Sequence, residues 1–303
     1  MLGSASRALD GRERRAACLS LGARLTRAAE AAGFDLVTVM DHFYQIRGVG
    51  PETDPMLEAY TTLSALAAST TRVRLGTLVT GVTYRNPALV AKMVTTLDVI
   101  SGGRAILGIG AAWNDAEHAG YGYAFPPVRE RMDRLQEALE IARLMFRDER
   151  PSFSGRHYRL DRALNSPRPL QADGPKILVG GAGERRTLRL AAQYADMTHW
   201  FVSSVEAFRH KCDVLERHCA EVGRDPGSIV RLIGVPVDVT LDAASAGVVD
   251  GPRGRTEVAL PERAADVLRD YVRAGAHGFT FRNPNLSTPE LLAAAGQIKS
   301  MLE

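Results

Sequence analysis

What most constrains the fold of this chain is a rhythm. Short apolar runs rich in β-branched residues occur at 36–40, 73–79, 104–108, 176–179, 197–201, 229–239 and 278–281. They alternate with longer amphipathic stretches at 58–69, 88–100, 128–146, 185–194, 205–222, 261–274 and 288–302. The runs are continuously apolar and do not alternate with polar residues, as happens when both faces of a strand are covered. Strand then helix, repeated along the chain, predicts an α/β fold with a parallel sheet. Seven units can be counted. A closed (β/α)8 barrel needs eight and an open doubly wound sheet usually has five to seven, so the count alone leaves both architectures open.

No composition break divides these units, which predicts one domain. The segments 147–174 and 241–260 interrupt the rhythm; rich in Arg, Pro, Gly and Asp, they read as loops or lids. Gly33 and Gly275 stand where a helix hands over to a strand and a left-handed residue is needed.

The formal charge of +3 over 303 residues is scattered, not gathered in a basic block, so nothing points to nucleic acid. No stretch approaches the roughly 18 uninterrupted apolar residues of a membrane span. Arg7, Arg12, Arg14 and Arg15 are not followed by an apolar leader core, and Cys18, Cys212 and Cys219 lack metal or disulfide spacing. A cytoplasmic protein without metal, nucleic-acid or membrane partners is expected.

Chemistry is suggested where the first run ends. Residues 36–40 read as a buried strand, and Asp41 and His42 follow at its tip. That is where barrels and open α/β sheets place reactive groups. The other histidines, among them His118, His157, His210 and His218, sit in helical or polar surroundings and read as structural or surface residues. The turn Gly180-Gly181-Ala182-Gly183-Glu184-Arg185 follows a strand and opens a helix. It either holds a phosphate on its backbone N–H groups or is a tight turn without a ligand, and it does not complete a G-x-G-x-x-G fingerprint. Small residues at Gly108, Gly110, Ala111 and Ala112 let a flat ring approach the backbone, with Trp113 as an apolar wall or a core side chain and Asn114 as a polar contact. Glycines in 75–82 suggest a bulge or the close approach of another group.

Taken together, Asn86-Pro87, Ser101-Gly102-Gly103-Arg104, Gly108-x-Gly110-x-x-Trp113-Asn114 and Gly180-Gly181-x-Gly183-Glu184-Arg185 resemble the bacterial luciferase-like oxidoreductases, in that order and spacing. The branch that uses the deazaflavin coenzyme F420 is most similar. The resemblance covers roughly residues 23–302, leaving 1–22 as an atypical N-terminal segment ahead of a 23–303 barrel domain. It implies a (β/α)8 TIM barrel with the coenzyme ring at the C-terminal ends of the strands, and hydride transfer to a small organic substrate. Flavin mononucleotide with monooxygenase chemistry is the alternative, and a deazaflavin-binding protein without catalysis a further one. By the same resemblance Asp41 and His42 match an acid–histidine pair beside the ring. Leu78 and Val79 match residues that back it, where the family can carry a non-prolyl cis peptide. Asn114 matches a polar contact to the coenzyme, and Gly180, Gly181 and Gly183 its phosphate turn, with Arg185, Arg186 or Lys176 meeting the acidic tail. A homodimer is left open.

Two departures matter. Sugar-phosphate dehydrogenases of this branch place a glutamate after Gly110, where this chain has Ala111, which cannot donate a proton. The apolar first strand of the family is also not recognisable in residues 1–15, and the first helix is expected to begin near Ala16. A missing strand would leave the runs 36–40 and 278–281 with unpaired edges, unless residues 16–21 form a strand.

Overall fold

Every expected run supplies a strand to one parallel sheet. The computed structural model describes residues 11–234, 237–251, 254–281 and 286–302. In chain order the strands are β1 (Leu36–Val39), β2 (Arg74–Thr77), β3 (Thr80–Gly81), β4 (Ala105–Gly110), β5 (Phe153–Ser154), β6 (Arg159–Leu160), β7 (Lys176–Gly180), β8 (Met197–Phe201), β9 (Val230–Gly234), β10 (Val237–Val239), β11 (Gly247–Gly251), β12 (Gly254–Ala259) and β13 (Gly278–Thr280). The helices are α1 (Gly11–Ala31), α2 (Ala59–Ala68), α3 (Pro87–Ser101), α4 (Asp115–Tyr121), α5 (Val128–Arg147), α6 (Thr187–Tyr194), α7 (Val205–Glu221), α8 (Pro261–Arg273) and α9 (Pro289–Leu302).

The main sheet runs β1-β2-β4-β7-β8-β9-β13, all neighbours parallel, with β3 also on β4. It curls as a barrel does, with Ile106, Leu178 and Leu232 packed inside and a larger apolar layer between strands and helices. The curl demands close approach of backbones. A Cβ on Gly108 would lie 1.8 Å from the Thr77 carbonyl oxygen, so only glycine fits where β2 leans on β4.

The barrel is open on one side. Among the described strands β1 pairs only with β2 and β13 only with β9, so one seam separates them. Residues 16–21 lie within α1 and form no strand, which leaves the seam unfilled by described residues. Helix α1 begins at Gly11, earlier than expected, and runs through the expected 22/23 boundary; residues 1–10 lie outside the described residues. The interruptions hold more structure than loops. A β5–β6 hairpin sits in the first; β11 and β12 occupy most of the second and, with β10 from the end of the 229–239 run, form a small sheet, β10-β12-β11. Short strands there are hard to read because Gly and Asp break the apolar pattern.

The Ser101-Gly102-Gly103-Arg104 block braces the N-terminal end of the sheet. Gly102 and Gly103 have φ of +70° and +88° and end α3. The Arg104 guanidinium donates to the carbonyls of Ser101, Val73, Ala67 and Thr70 and to the Thr70 hydroxyl, at 2.6–3.0 Å. It thereby satisfies carbonyls at the C-terminus of α2 that have no helical partner. Buried Asp98 does the converse, accepting from the Leu170 and Gln171 N–H groups at 2.8 and 3.1 Å and pinning the segment before β7.

Candidate active site

A cavity of about 1670 Å³ opens at the C-terminal ends of the strands and continues down to the seam. His42, just past β1, lines it and is mostly covered. Its Nδ1 lies 2.7 Å from Oε2 of Glu117, on α4. The Glu117 carboxylate is fully buried and accepts three further bonds, from the N–H of Phe43 at 2.6 Å, the N–H of Tyr44 at 3.1 Å and the Tyr84 hydroxyl at 2.8 Å. Burial alone would raise its pKa, but hydrogen bonds from His42 and Tyr84 and the charge of His42 outweigh that and hold it at about 2. An ionised carboxylate can only accept, so His42 carries a proton on Nδ1. In the neutral ring Nε2 is then the basic nitrogen, available to the cavity. Trp113, largely exposed, meets the imidazole edge-on at 5.4 Å.

Asp41, expected beside His42 at the ring, does not join His42 on the cavity wall. It is buried, absent from the cavity wall, and clamped by Arg85 through two bonds of 2.7 and 3.0 Å; Arg85 also reaches Glu58 at 2.8 Å. The ion pair fastens the tip of β1 to the loop before α3, and so fixes the backbone that presents His42.

Opposite His42 the floor is built on close contacts. The Leu78–Val79 peptide is cis, Leu78 lines the cavity, and a Cβ on Gly180 or Gly110 would come within 2.8 or 2.9 Å of the Val79 side chain. Glycines at these two strand ends let the Val79 segment lie flat against β4 and β7. Gly181 has φ of +112°, and its N–H donates to the His199 carbonyl at 3.1 Å, so it is not free for a ligand. The N–H groups of Ala182, Gly183 and Glu184 have no protein acceptor among the described residues. The Glu184 side chain is drawn off the turn by Lys211 at 2.5 Å and His210 at 3.0 Å. What remains is a cluster of backbone donors ahead of α6, suited to a phosphate.

Other expected residues fall elsewhere. Asn114 caps α4 without a side-chain bond, and its amide is not part of the cavity wall; its carbonyl accepts from Nδ1 of buried His118 at 2.6 Å. Lys176 starts β7, at the end of the sheet opposite the glycine turn, and faces Asp196 at 3.8 Å; it cannot meet a ligand tail there. Arg186 is held by Asp133 at 2.6 Å, and Arg185 alone of the three is exposed beside the turn without an ion pair among the described residues. Glu117 and Tyr84 were not singled out in the sequence. A glutamate in the polar stretch Asp115-Ala116-Glu117-His118 reads as solvated, and only its place two residues into a short helix after Trp113-Asn114 hints otherwise. Among the described residues no group of three or more His, Cys, Asp or Glu is disposed to hold a metal, and no helix is long and apolar enough to cross a membrane.

The chain is 35% identical over 236 residues to the pyrimidine monooxygenase RutA of Rhizobium rhizogenes, an alignment covering 75% of this chain and 62% of the relative. It is 40% identical over 156 residues to the F420-dependent glucose-6-phosphate dehydrogenase of Kineococcus radiotolerans, covering 51% and 45%. The matched regions thus span less than two thirds of either relative. An F420-dependent secondary alcohol dehydrogenase, solved in complex with an F420–acetone adduct, superposes with a TM-score of 0.79 at 20% identity, over 94% of this chain and 96% of that one, a likeness of fold. The family profile described as luciferase-like monooxygenase matches residues 10–250, so the chain belongs to the luciferase-like monooxygenase family.

Proposed function

We propose that this chain is an oxidoreductase that uses coenzyme F420 to exchange hydride with a small, uncharged, apolar organic substrate, and that His42 carries the accompanying proton. The observation that carries this reading is His42 at the cavity wall with Nδ1 fixed by Glu117, leaving Nε2 for substrate. When bound, the deazaflavin supplies the hydride donor or acceptor. The residues present fit it. The unpaired N–H groups of Ala182, Gly183 and Glu184 are suited to its phosphate, and Leu78, held by a cis peptide whose Val79 packs on Gly110 and Gly180, offers the cavity an apolar face for a planar ring. Arg185 is placed to receive an acidic tail. His42 takes up or gives a proton through Nε2 while Glu117 stabilises the imidazolium, and Trp113 shields the pair from water.

The cavity wall argues for the substrate class. Its mouth is formed by Ile46, Val49, Met56, Leu57, Trp113 and Phe201, and the cations of the wall, Arg74, Lys176 and Lys299, all lie at the other end of the sheet. With Ala111 after Gly110, this leaves neither a general acid at that position nor a described cation to hold a phosphorylated sugar. A flavin mononucleotide monooxygenase is the second reading, because the same backbone donors suit a flavin phosphate and RutA is among the relatives. Fluorescence titration of both coenzymes in one buffer decides between them. Micromolar or tighter binding of F420 with weaker binding of flavin mononucleotide is expected. Equal affinity, or fast oxygen consumption by the reduced flavin complex, would overturn the deazaflavin reading.

A further inference from the structure

We propose that Glu184 sets which kind of phosphate the glycine turn accepts: by cancelling the charge of Lys211 it suits the turn to a singly charged phosphodiester over a doubly charged phosphomonoester. This rests on the coenzyme reading above and deepens it, because the deazaflavin carries its phosphate as a diester and flavin mononucleotide carries a monoester, whose second proton leaves at about pH 6. The donors that line the turn are neutral. They are the N–H groups of Ala182, Gly183 and Glu184 and the Thr187 hydroxyl, whose oxygen would lie 2.8 Å from a Cβ on Gly183. Net charge at the turn is therefore decided by the side chains around it.

Glu184 is held at both ends. Its Oε1 accepts from Lys211 at 2.5 Å and from His210 at 3.0 Å, both on α7, and its carbonyl accepts from Nε2 of His218 at 2.8 Å. The Lys211 side chain is mostly covered, and among the described residues no other carboxylate pairs with it. Its hydrogen bond holds the Glu184 carboxyl below the usual carboxylate range, so the carboxylate stays ionised at neutral pH and offsets the ammonium. Arg186 is cancelled in the same way by Asp133 at 2.6 Å, which leaves Arg185 unpaired beside the turn among the described residues. A glutamate carries Oε1 at most about 5 Å from its own backbone nitrogen, so Nζ of Lys211 lies within roughly 8 Å of an N–H that faces the phosphate, about one Debye length at physiological salt. At that separation in water each pair of unit charges changes affinity by about threefold. Glutamine in place of Glu184 keeps an oxygen for Lys211 and His210 but leaves the charge of the lysine uncancelled.

The test uses three flavins that share one ring and ribityl chain and differ only at its end: riboflavin, its 5′-methyl phosphate diester, and flavin mononucleotide, titrated by fluorescence at pH 8 and low salt. Glu184→Gln should tighten flavin mononucleotide by about sevenfold and the diester by about threefold, leaving riboflavin unchanged. High salt should erase both gains. Lys211→Ala should act in the opposite sense, weakening the same two ligands in the same ratio, and Glu184→Gln with Lys211→Ala should return all three to within about twofold of native affinity. A gain for flavin mononucleotide no larger than for the diester, an equal gain for riboflavin, no binding of any of the three, or a double variant as altered as either single one would overturn the proposal. Because these ligands differ only in phosphate charge, equal native affinities for F420 and flavin mononucleotide would sink the coenzyme reading and leave this result standing.

Discussion

Replacing Glu117 by Gln isolates what its charge does for His42. One glutamine oxygen can accept both N–H groups now bound at Oε1, those of Phe43 and Tyr44. The new NH2 then faces Nδ1 of His42 and the Tyr84 hydroxyl, both of which donate to Oε2 in the native protein. The hydroxyl can rotate and accept. The imidazole can stay bonded only by moving its proton to Nε2, so the nitrogen presented to the cavity changes from a base to a donor. All four charge-assisted bonds to the carboxylate become neutral ones, offset in part by the smaller desolvation of a neutral amide, for a net loss of about 1–3 kcal/mol. With an unfolding entropy of about 2.1 cal/mol/K per residue over 303 residues, that lowers melting by roughly 2–5 °C. The catalytic cost is larger, about two to three orders of magnitude in kcat with KM and coenzyme affinity within a few-fold, because only proton transfer is impaired. Stopped-flow turnover and a coenzyme titration on the same folded sample read both quantities. A Glu117→Gln protein that melts lower but retains native kcat would show that Glu117 is a structural clamp and that His42 does not depend on it.

Other outcomes are equally specific. His42→Ala should lower turnover by about two to four orders of magnitude with coenzyme affinity within a few-fold, by steady-state kinetics and titration. Arg85→Ala leaves Asp41 buried without its partner and should cost about 3–5 kcal/mol in chemical denaturation, most of it recovered when Asp41→Asn is added. Burial lowers the His199 pKa from 6.5 to about 4, so the unfolded chain takes up this proton first. Stability present above pH 6.5 is therefore lost as pH falls toward 4, by up to about 3 kcal/mol, and His199→Asn should flatten that slope in denaturation curves between those pH values. Gly180→Ala brings a Cβ to within 2.8 Å of Val79 and should weaken coenzyme binding at least tenfold, read by fluorescence, without unfolding the chain.

Periodicity made the main sheet legible, since its strands are continuous apolar runs and its helices are long. The small sheet was hidden because β11 and β12 carry Gly, Asp and Arg at the density of a loop, while β10 reads as the tail of the 229–239 run. His42 could be placed from its position at a strand end, but its partner could not, since Glu117 is 75 residues away and only the barrel's curvature brings α4 over β1. The partner of Asp41 was hidden for the same reason. Adjacency in a strand tip puts successive side chains on opposite sides, and Asp41 turns to Arg85 while His42 turns to the cavity. Lys176 shows the converse, where proximity in sequence to the glycine turn conceals a whole strand length between them.

The brace at Arg104 and Asp98 lies at the end of the barrel opposite His42, and this division bears on how freely the sequence can vary. Arg104 and Asp98 each serve several backbone groups that no other side chain reaches among the described residues, so almost any replacement there should be rejected in a saturation library. The loop at 43–57 contributes apolar wall, much of it exposed, and should accept many replacements in the same library. Selection for a new substrate could then act on one end of the molecule while the other keeps it folded.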